Sequence, residues 1–337
     1  MNENIQFVNK PKPYGGPSSF QVRLINYLIN KNFQVTFSYE KKKPDLLFLI
    51  SSTRKYFWII KNKIKNKKII QRLDGFLWKH KFENEGFFFK IKCELMNLNM
   101  IFIRKYLADH IVYQSQYLKD EWDLKYGKVS KQFSIIHNAA SNEFFRKKIN
   151  FNENLDFEII CVEGSIQNDE LTLAILKSLE KIVIKKNKIS KINVYGDHSL
   201  IDLKKFTEKK IEFHGLISRE SVSKIYDKPN LIFFMLEINP PCPNSLIESI
   251  CAGIPSIGFD TGSYSELSQE SGIKIKKSKS RGILSSYNLN LIEEKIEEMI
   301  ENYTYHAKKC IEISNHYRVE RMGDQYLKVI QNLLSRK

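Results

Sequence analysis

The residues best suited to chemistry stand together in the run Asn239-Pro-Pro-Cys-Pro-Asn-Ser-Leu-Ile-Glu-Ser-Ile-Cys-Ala-Gly-Ile-Pro255 and in Thr261-Gly-Ser-Tyr-Ser-Glu266 just beyond it. The pattern predicts a loop, a helix, a turn, a buried strand and a second glycine-bearing loop. Asn244 or the adjacent turn caps a helix whose first turn is Ser245-Leu246-Ile247-Glu248, and Gly253 and Pro255 close it. Helical side chains lean toward the N-terminus, so Glu248 is expected to reach back over the first-turn N–H groups of Asn244, Ser245 and Leu246. Those groups form an anion cradle. Amides for phosphate and a carboxylate for ribose hydroxyls are what a nucleotide diphosphate requires. A capped helix with a surface glutamate would give the same local pattern; the Gly-Ser-Tyr-Ser-Glu loop one strand later favours the binding site.

This segment resembles the donor-binding signature of retaining GT-B glycosyltransferases of the family 4-like, group 1 type. That signature sets two acids eight positions apart on such a loop and helix. The closest likeness is to the subgroup whose loop reads acid-Pro-Cys-Pro-Asn. The resemblance implies that Glu248 binds the nucleotide ribose. The acid that touches the donor sugar is replaced here by Pro240, with Glu237 three residues upstream. Glu266 matches an acid that bonds loop amides in the family.

The elements that would position these residues read as two successive α/β series. A strand Ile5–Val8 leads into Lys10-Pro-Lys-Pro-Tyr-Gly-Gly16, then a helix through Phe20, Leu24, Tyr27 and Leu28, then a strand Gln34–Phe37. This is a βαβ unit. Gly15 and Gly16 let the backbone approach a ligand at the strand's carboxyl end, although an ordinary turn explains a glycine pair equally well. Further strands end in polar clusters: Arg72-Leu-Asp74-Gly75, Gln114-Ser115 and His137-Asn138. The resemblance extends over these strings. It places Asp74 and Arg72 at the sugar-contacting position, where an Arg-x-Asp turn salt bridge is the alternative. His137 reads as a locally bonded strand-end histidine.

A polar stretch at 147–156 reads as a linker. Beyond it come strand Glu158–Val162 with Glu163-Gly164-Ser165, a helix 170–185, and strand Ile192–Tyr195. Next are strand Ile211–Gly215, a helix near Ser221–Tyr226 bearing Arg219 just upstream, and strand Leu231–Leu236. Helices Leu291–Asn302 and Arg318–Leu334 close the chain. The expected fold is α/β GT-B: two Rossmann-like, doubly wound domains facing across a cleft. One spans 1–150, with a C-terminal helix from about 315 to 337 packing back on it; the other spans 151–314. By resemblance the Gly164-Ser165 loop and the Gly215 loop line the donor site. Relatives carry an Arg and a Lys near the first of these. Residues 163–170 contain neither, which leaves Arg219 as the candidate basic contact.

Composition narrows the classes. The chain has 337 residues, 42% of them hydrophobic, enough for two cores. No apolar run reaches the length of a membrane span, and no export signal is indicated. Five widely spaced cysteines form no C-x-x-C pair, which fits reduced thiols and no metal site. The net charge of +16 comes from scattered lysines without arginine and aromatic interleaving, so no nucleic-acid partner is expected. An ordinary solvated surface explains that charge; attraction to an anionic membrane surface is its functional reading. Absence of an Asp-x-Asp pair favours metal-free transfer, with no cofactor. The expectation is a cytoplasmic, peripheral-membrane hexosyltransferase. It would take a nucleotide sugar and a glycan, glycolipid or lipid-linked acceptor. The alternative is an inactive binding subunit of a glycan-assembly complex.

Overall fold

The computed structural model describes residues 3–13, 15–77, 86–186, 188–206, 210–277 and 287–335. The chain divides into two units, Met1–Asn138 with Val319–Lys337, and Ala139–Arg318.

In the first unit the elements run β1 (Asn4–Phe7), α1 (Gly16–Asn30), β2 (Gln34–Phe37), β3 (Leu46–Ile50), α2 (Tyr56–Ile64) and β4 (Lys68–Arg72). They continue with α3 (Phe87–Phe102), a π-turn at Ile103–Leu107, β5 (His110–Tyr113), α4 (Gln116–Tyr126) and β6 (Gln132–Ile135). The six strands form one parallel sheet in the order β2-β1-β3-β4-β5-β6. A parallel sheet is covered on both faces, which explains why Leu46-Leu-Phe-Leu49 is apolar without alternation and fully buried.

A final helix of the chain, Val319–Leu334, also belongs to this unit. Its buried residues Met322, Tyr326, Val329, Ile330 and Leu333 recur at three- and four-residue spacing, the period of one apolar face. Tyr326 meets Phe20 and Phe48 with ring centroids 5.4 and 5.7 Å apart. Tyr27 on α1 donates its hydroxyl to Asp324.

The second unit runs β7 (Phe157–Ser165), α5 (Glu170–Lys185), β8 (Ile189–Asp197), β9 (Ile211–Gly215), α6 (Arg219–Ile225) and β10 (Leu231–Phe234). Then come α7 (Asn244–Cys251), β11 (Ser256–Phe259), α8 (Tyr264–Ser268), β12 (Gly272–Ile275), α9 (Leu291–Glu301) and α10 (Tyr303–Ser314); Val319–Leu334 is therefore α11. Its parallel sheet has the order β12-β11-β10-β7-β8-β9. The polar stretch 147–156 lies inside this unit. Asn230 binds it there, donating from Nδ2 to the carbonyls of Asn152 and Leu155 at 2.7 and 2.6 Å.

Candidate functional site

In the second sheet β7 and β10 are neighbours, while the chain proceeds to β8 and β9 on one side and to β11 and β12 on the other. At such a switch point the connections leave in opposite directions, opening a crevice at the carboxyl ends of the two strands. Glu163-Gly164-Ser165 ends β7 there. Gly164 is exposed, and a Cβ on it would meet nothing within 4 Å, so the space above it is open. Nearby, Gly196 is held at φ +142° with its Cβ position 2.5 Å from the Glu163 carbonyl; only glycine permits β7 and β8 to end so close together.

The loop after β10 delivers α7 to the same crevice. Of the two expected caps, Asn244 or the adjacent turn, it is the turn that caps this helix. Pro243 occupies the cap with φ −71° and ψ 127°, and Asn244 is the first helical residue. Proline's fixed φ suits a helix entrance, and its missing N–H costs nothing there. The amides of Asn244, Ser245 and Leu246 stand in the first turn, without intrahelical acceptors. The Leu246 side chain is fully buried in the core with Ile247 and Ile250, so its N–H is all that it offers a ligand.

Glu248 is only 8% exposed. Tyr226, at the end of α6, is fully buried beside it and donates to the Ser245 carbonyl at 3.4 Å. Burial, and then the charges of Glu248 and Glu163, push the Tyr226 phenol well above its ordinary value, which keeps it a donor at neutral pH. Glu163 lies at the end of β7 and Glu248 lies on α7, the elements that border this crevice.

The second glycine loop fixes the approach to α7. Gly262 has φ +62°, and a Cβ there would stand 2.4 Å from Pro240 Cδ and N. Ser263 donates to the Pro240 carbonyl through N at 2.9 Å and through Oγ at 3.0 Å, and the Asn239 amide donates to Thr261 Oγ1 at 3.1 Å. Pro240 is buried by these contacts, whereas Glu237 is exposed. Gly215 ends β9 at φ +72°, two strands from β7 and so about 10 Å along the sheet. Arg219 begins α6; its side chain lies outside the described residues.

In the first unit β1 sits between β2 and β3, and the loop after it leads to Gly15, the N-cap of α1, at φ +101°. Gly16 is the first helical residue and Pro17 follows. Ser18 and Ser19 return their amides to the Gly15 carbonyl at 3.1 and 3.0 Å, and both glycines are exposed.

The carboxyl ends of β4 and β5 carry a buried polar network. Arg72, 1% exposed, directs Nη1 at Asp74 Oδ1 (2.5 Å) and Nη2 at Gln114 Oε1 (2.6 Å) and Asn138 Oδ1 (2.8 Å). Its guanidinium lies 3.9 Å from the centroid of the Phe20 ring. Gln114 Nε2 also donates to Asp74 Oδ1, at 2.7 Å, and to the Leu73 carbonyl, at 2.8 Å. The Arg-x-Asp salt bridge is therefore present. Both Arg72 Nη atoms are engaged with Asp74 and two amides. Asp74 keeps 21% of its side chain exposed, and its Oδ2 takes no hydrogen bond from a described residue. It can accept from a hydroxyl.

Phe20 and Tyr226 were not singled out in the sequence as site residues; Gln114 and Asn138 were seen only as strand-end polar residues. A polar residue following a parallel strand is the signal for the last two. Neither aromatic carries one, since each reads as ordinary core. All five cysteines are buried and unlinked, and burial pushes the Cys310 thiol up to about 12. Among the described residues no group of three His, Cys, Asp or Glu side chains is placed to hold a metal ion. Nor is any helix long and apolar enough to cross a membrane.

No protein-family model matches the sequence, and no curated protein matches it. Solved structures do. Sucrose-phosphate synthase from Thermosynechococcus elongatus superposes with a TM-score of 0.73 at 11% identity, covering 100% of both chains. HepE of Anabaena, in complex with UDP, gives 0.69 at 12% identity over 98% of this chain and 100% of its own. A glycosyltransferase from Rickettsia africae gives 0.66 at 15% identity, covering 100% of both chains. With two six-stranded parallel sheets and this full-length likeness, the chain has the GT-B fold.

Proposed function

We propose that this chain is a glycosyltransferase that moves a sugar from a nucleotide sugar to a glycan, glycolipid or lipid-linked acceptor, with retention and without a metal. The observation that carries the reading is Glu248, nine-tenths buried on the first turns of α7 at the switch point of the second sheet. A carboxylate there supplies acceptors for ribose hydroxyls, and the α7 amides supply donors for the diphosphate. HepE, of the same fold, is known in complexes with UDP and UDP-glucose, which supports a nucleotide sugar as donor. In the first unit, Asp74 Oδ2 is the acceptor for a sugar or acceptor hydroxyl, and Arg72 keeps its carboxylate in place.

The test is calorimetry of UDP and other nucleoside diphosphates against the native chain and Glu248→Gln. Losing a charge-assisted bond costs about 1.5–3 kcal/mol, or roughly 10- to 150-fold in Kd. Unchanged affinity would take Glu248 out of the site. A second reading, a binding subunit without turnover, draws on Pro240. That residue stands where the resemblance places the sugar-contacting acid, and the Gly262 loop buries it. Nucleotide release measured over a panel of nucleotide sugars separates the two. Binding with no release from any donor, lipid acceptor included, would favour the subunit.

A further inference from the structure

Helix α3 has two apolar faces, and only one of them is covered. Cys93, Asn97 and Met100 are buried at four- and three-residue spacing. On the opposite side Phe88, Ile91, Leu95, Leu98 and Phe102 recur at the same spacing and are 41–86% exposed. At 100° per residue the two stripes lie about 180° apart. Tyr106, in the π-turn that follows, extends the exposed row and packs its ring, tilted, beside Phe102, with centroids 5.3 Å apart. Helix α2 repeats the arrangement. Ile59 and Asn62 face inward, while Phe57, Ile60 and Ile64 are exposed, Phe57 at 92%. The two helices meet where Tyr56 sets its ring edge-on to Phe102 at 6.4 Å.

Residues 54–68 hold seven basic side chains and no acid; residues 86–107 add Lys90, Lys92 and Lys105 beside one acid, Glu94, while Arg104 is buried against Asp123. Large apolar side chains projecting from a helix among lysines have the composition of an element that lies in the headgroup region of an anionic bilayer. A second copy of this chain would bring the same positive charge against itself. A convex ridge of separate Phe and Leu side chains also differs from the concave pocket that encloses a small ligand.

We propose that α2 and α3 form a membrane-docking surface that inserts this apolar row into anionic lipid. The inference names the surface that would bring the chain to a lipid-linked acceptor. It does not rest on catalysis, and its test contains no nucleotide, so it stands or fails apart from the transferase reading.

The experiment is co-sedimentation of the full chain with vesicles of phosphatidylglycerol and phosphatidylethanolamine, and with pure phosphatidylcholine vesicles. It compares the native chain with the triple variant Phe88→Ser, Leu95→Ser, Leu98→Ser and with Lys61→Glu, Lys65→Glu. Binding is expected only on the anionic vesicles. The triple variant should weaken it at least about tenfold, because the three most exposed apolar side chains of the α3 row are then gone. The charge variant should weaken it at low salt, with the difference shrinking in 0.5 M salt. All replaced residues are exposed or project from helix surfaces, so near-native circular dichroism and melting are required of both variants. Full retention by the triple variant would overturn the proposal. So would a lipid-free dimer that the same variant dissolves, because a protein partner would then own the surface.

Discussion

Arg72→Lys tests whether the strand-end network is a built device or solvated decoration. The native guanidinium makes three bonds of 2.5–2.8 Å from a position 1% exposed and lies 3.9 Å from the Phe20 ring centroid. Lysine keeps the charge but not the planar fork, so it satisfies Asp74 at the expense of Gln114 or Asn138. One lost charge-assisted bond costs about 1.5–3 kcal/mol. The lost stacking adds about 1 kcal/mol. These contributions share partners and do not simply add, so a loss of about 2–4 kcal/mol is expected. Arg72→Ala, which leaves Asp74 facing no cation, should cost about 3–5 kcal/mol. Asp74→Asn should cost least in stability, since an amide oxygen still accepts from both donors. It should, however, lower turnover more than nucleotide affinity if Asp74 touches a substrate hydroxyl. A chain of two units does not unfold in one step, so the assay is native-state hydrogen exchange of β4 and β5 amides, the Leu73 N–H to the Val112 carbonyl among them. Loss of protection under about 0.5 kcal/mol in Arg72→Lys would refute the reasoning, because it would mean that water replaces the network at no cost.

Gly323→Ala should loosen α11 from α1, because its Cβ would enter the Tyr27 ring at 2.4–2.5 Å; a drop of several degrees in the melting of the first unit is expected, and none would mean the helices part easily. Gly262→Ala combines φ +62° with a 2.4 Å approach to Pro240, so it should cost over about 1 kcal/mol and weaken nucleotide binding by moving the α7 entrance. Equal UDP affinity in calorimetry would show that this loop does not set the α7 position. Transferase activity, once a donor is found, should survive EDTA; complete loss reversed by added metal would remove the metal-free mechanism.

The sheets were legible because their physics is local to a few residues. Buried parallel strands demand unbroken apolar runs such as Leu46–Ile50 and Leu231–Phe234, and each must end in a polar turn. The amphipathic period of Val319–Leu334 likewise announces a packed helix. The run Phe87–Phe102 has apolar residues at helical spacing on one side, Phe88 to Phe102, and Cys93 and Met100 on the other; only the packing of Cys93, Asn97 and Met100 decided which side faces solvent. The sequence left Asn244 and the adjacent turn open as the α7 cap, and the structure places Pro243 there; it also sets Gly262 against Pro240, 22 residues away.

The sequence by itself determined where acids, glycines and strand-end polar residues stand along the chain, and hence that Glu248, Gly164 and Asp74 were candidates at all. Tertiary structure decided their company. It buried Glu248, and it set Arg72 between Phe20, Gln114 and Asn138. Burial and partnership arise from residues distant in sequence meeting in space, 42 to 66 positions apart for Arg72 and these three partners, and no spacing along the chain encodes which of two equivalent faces will be covered.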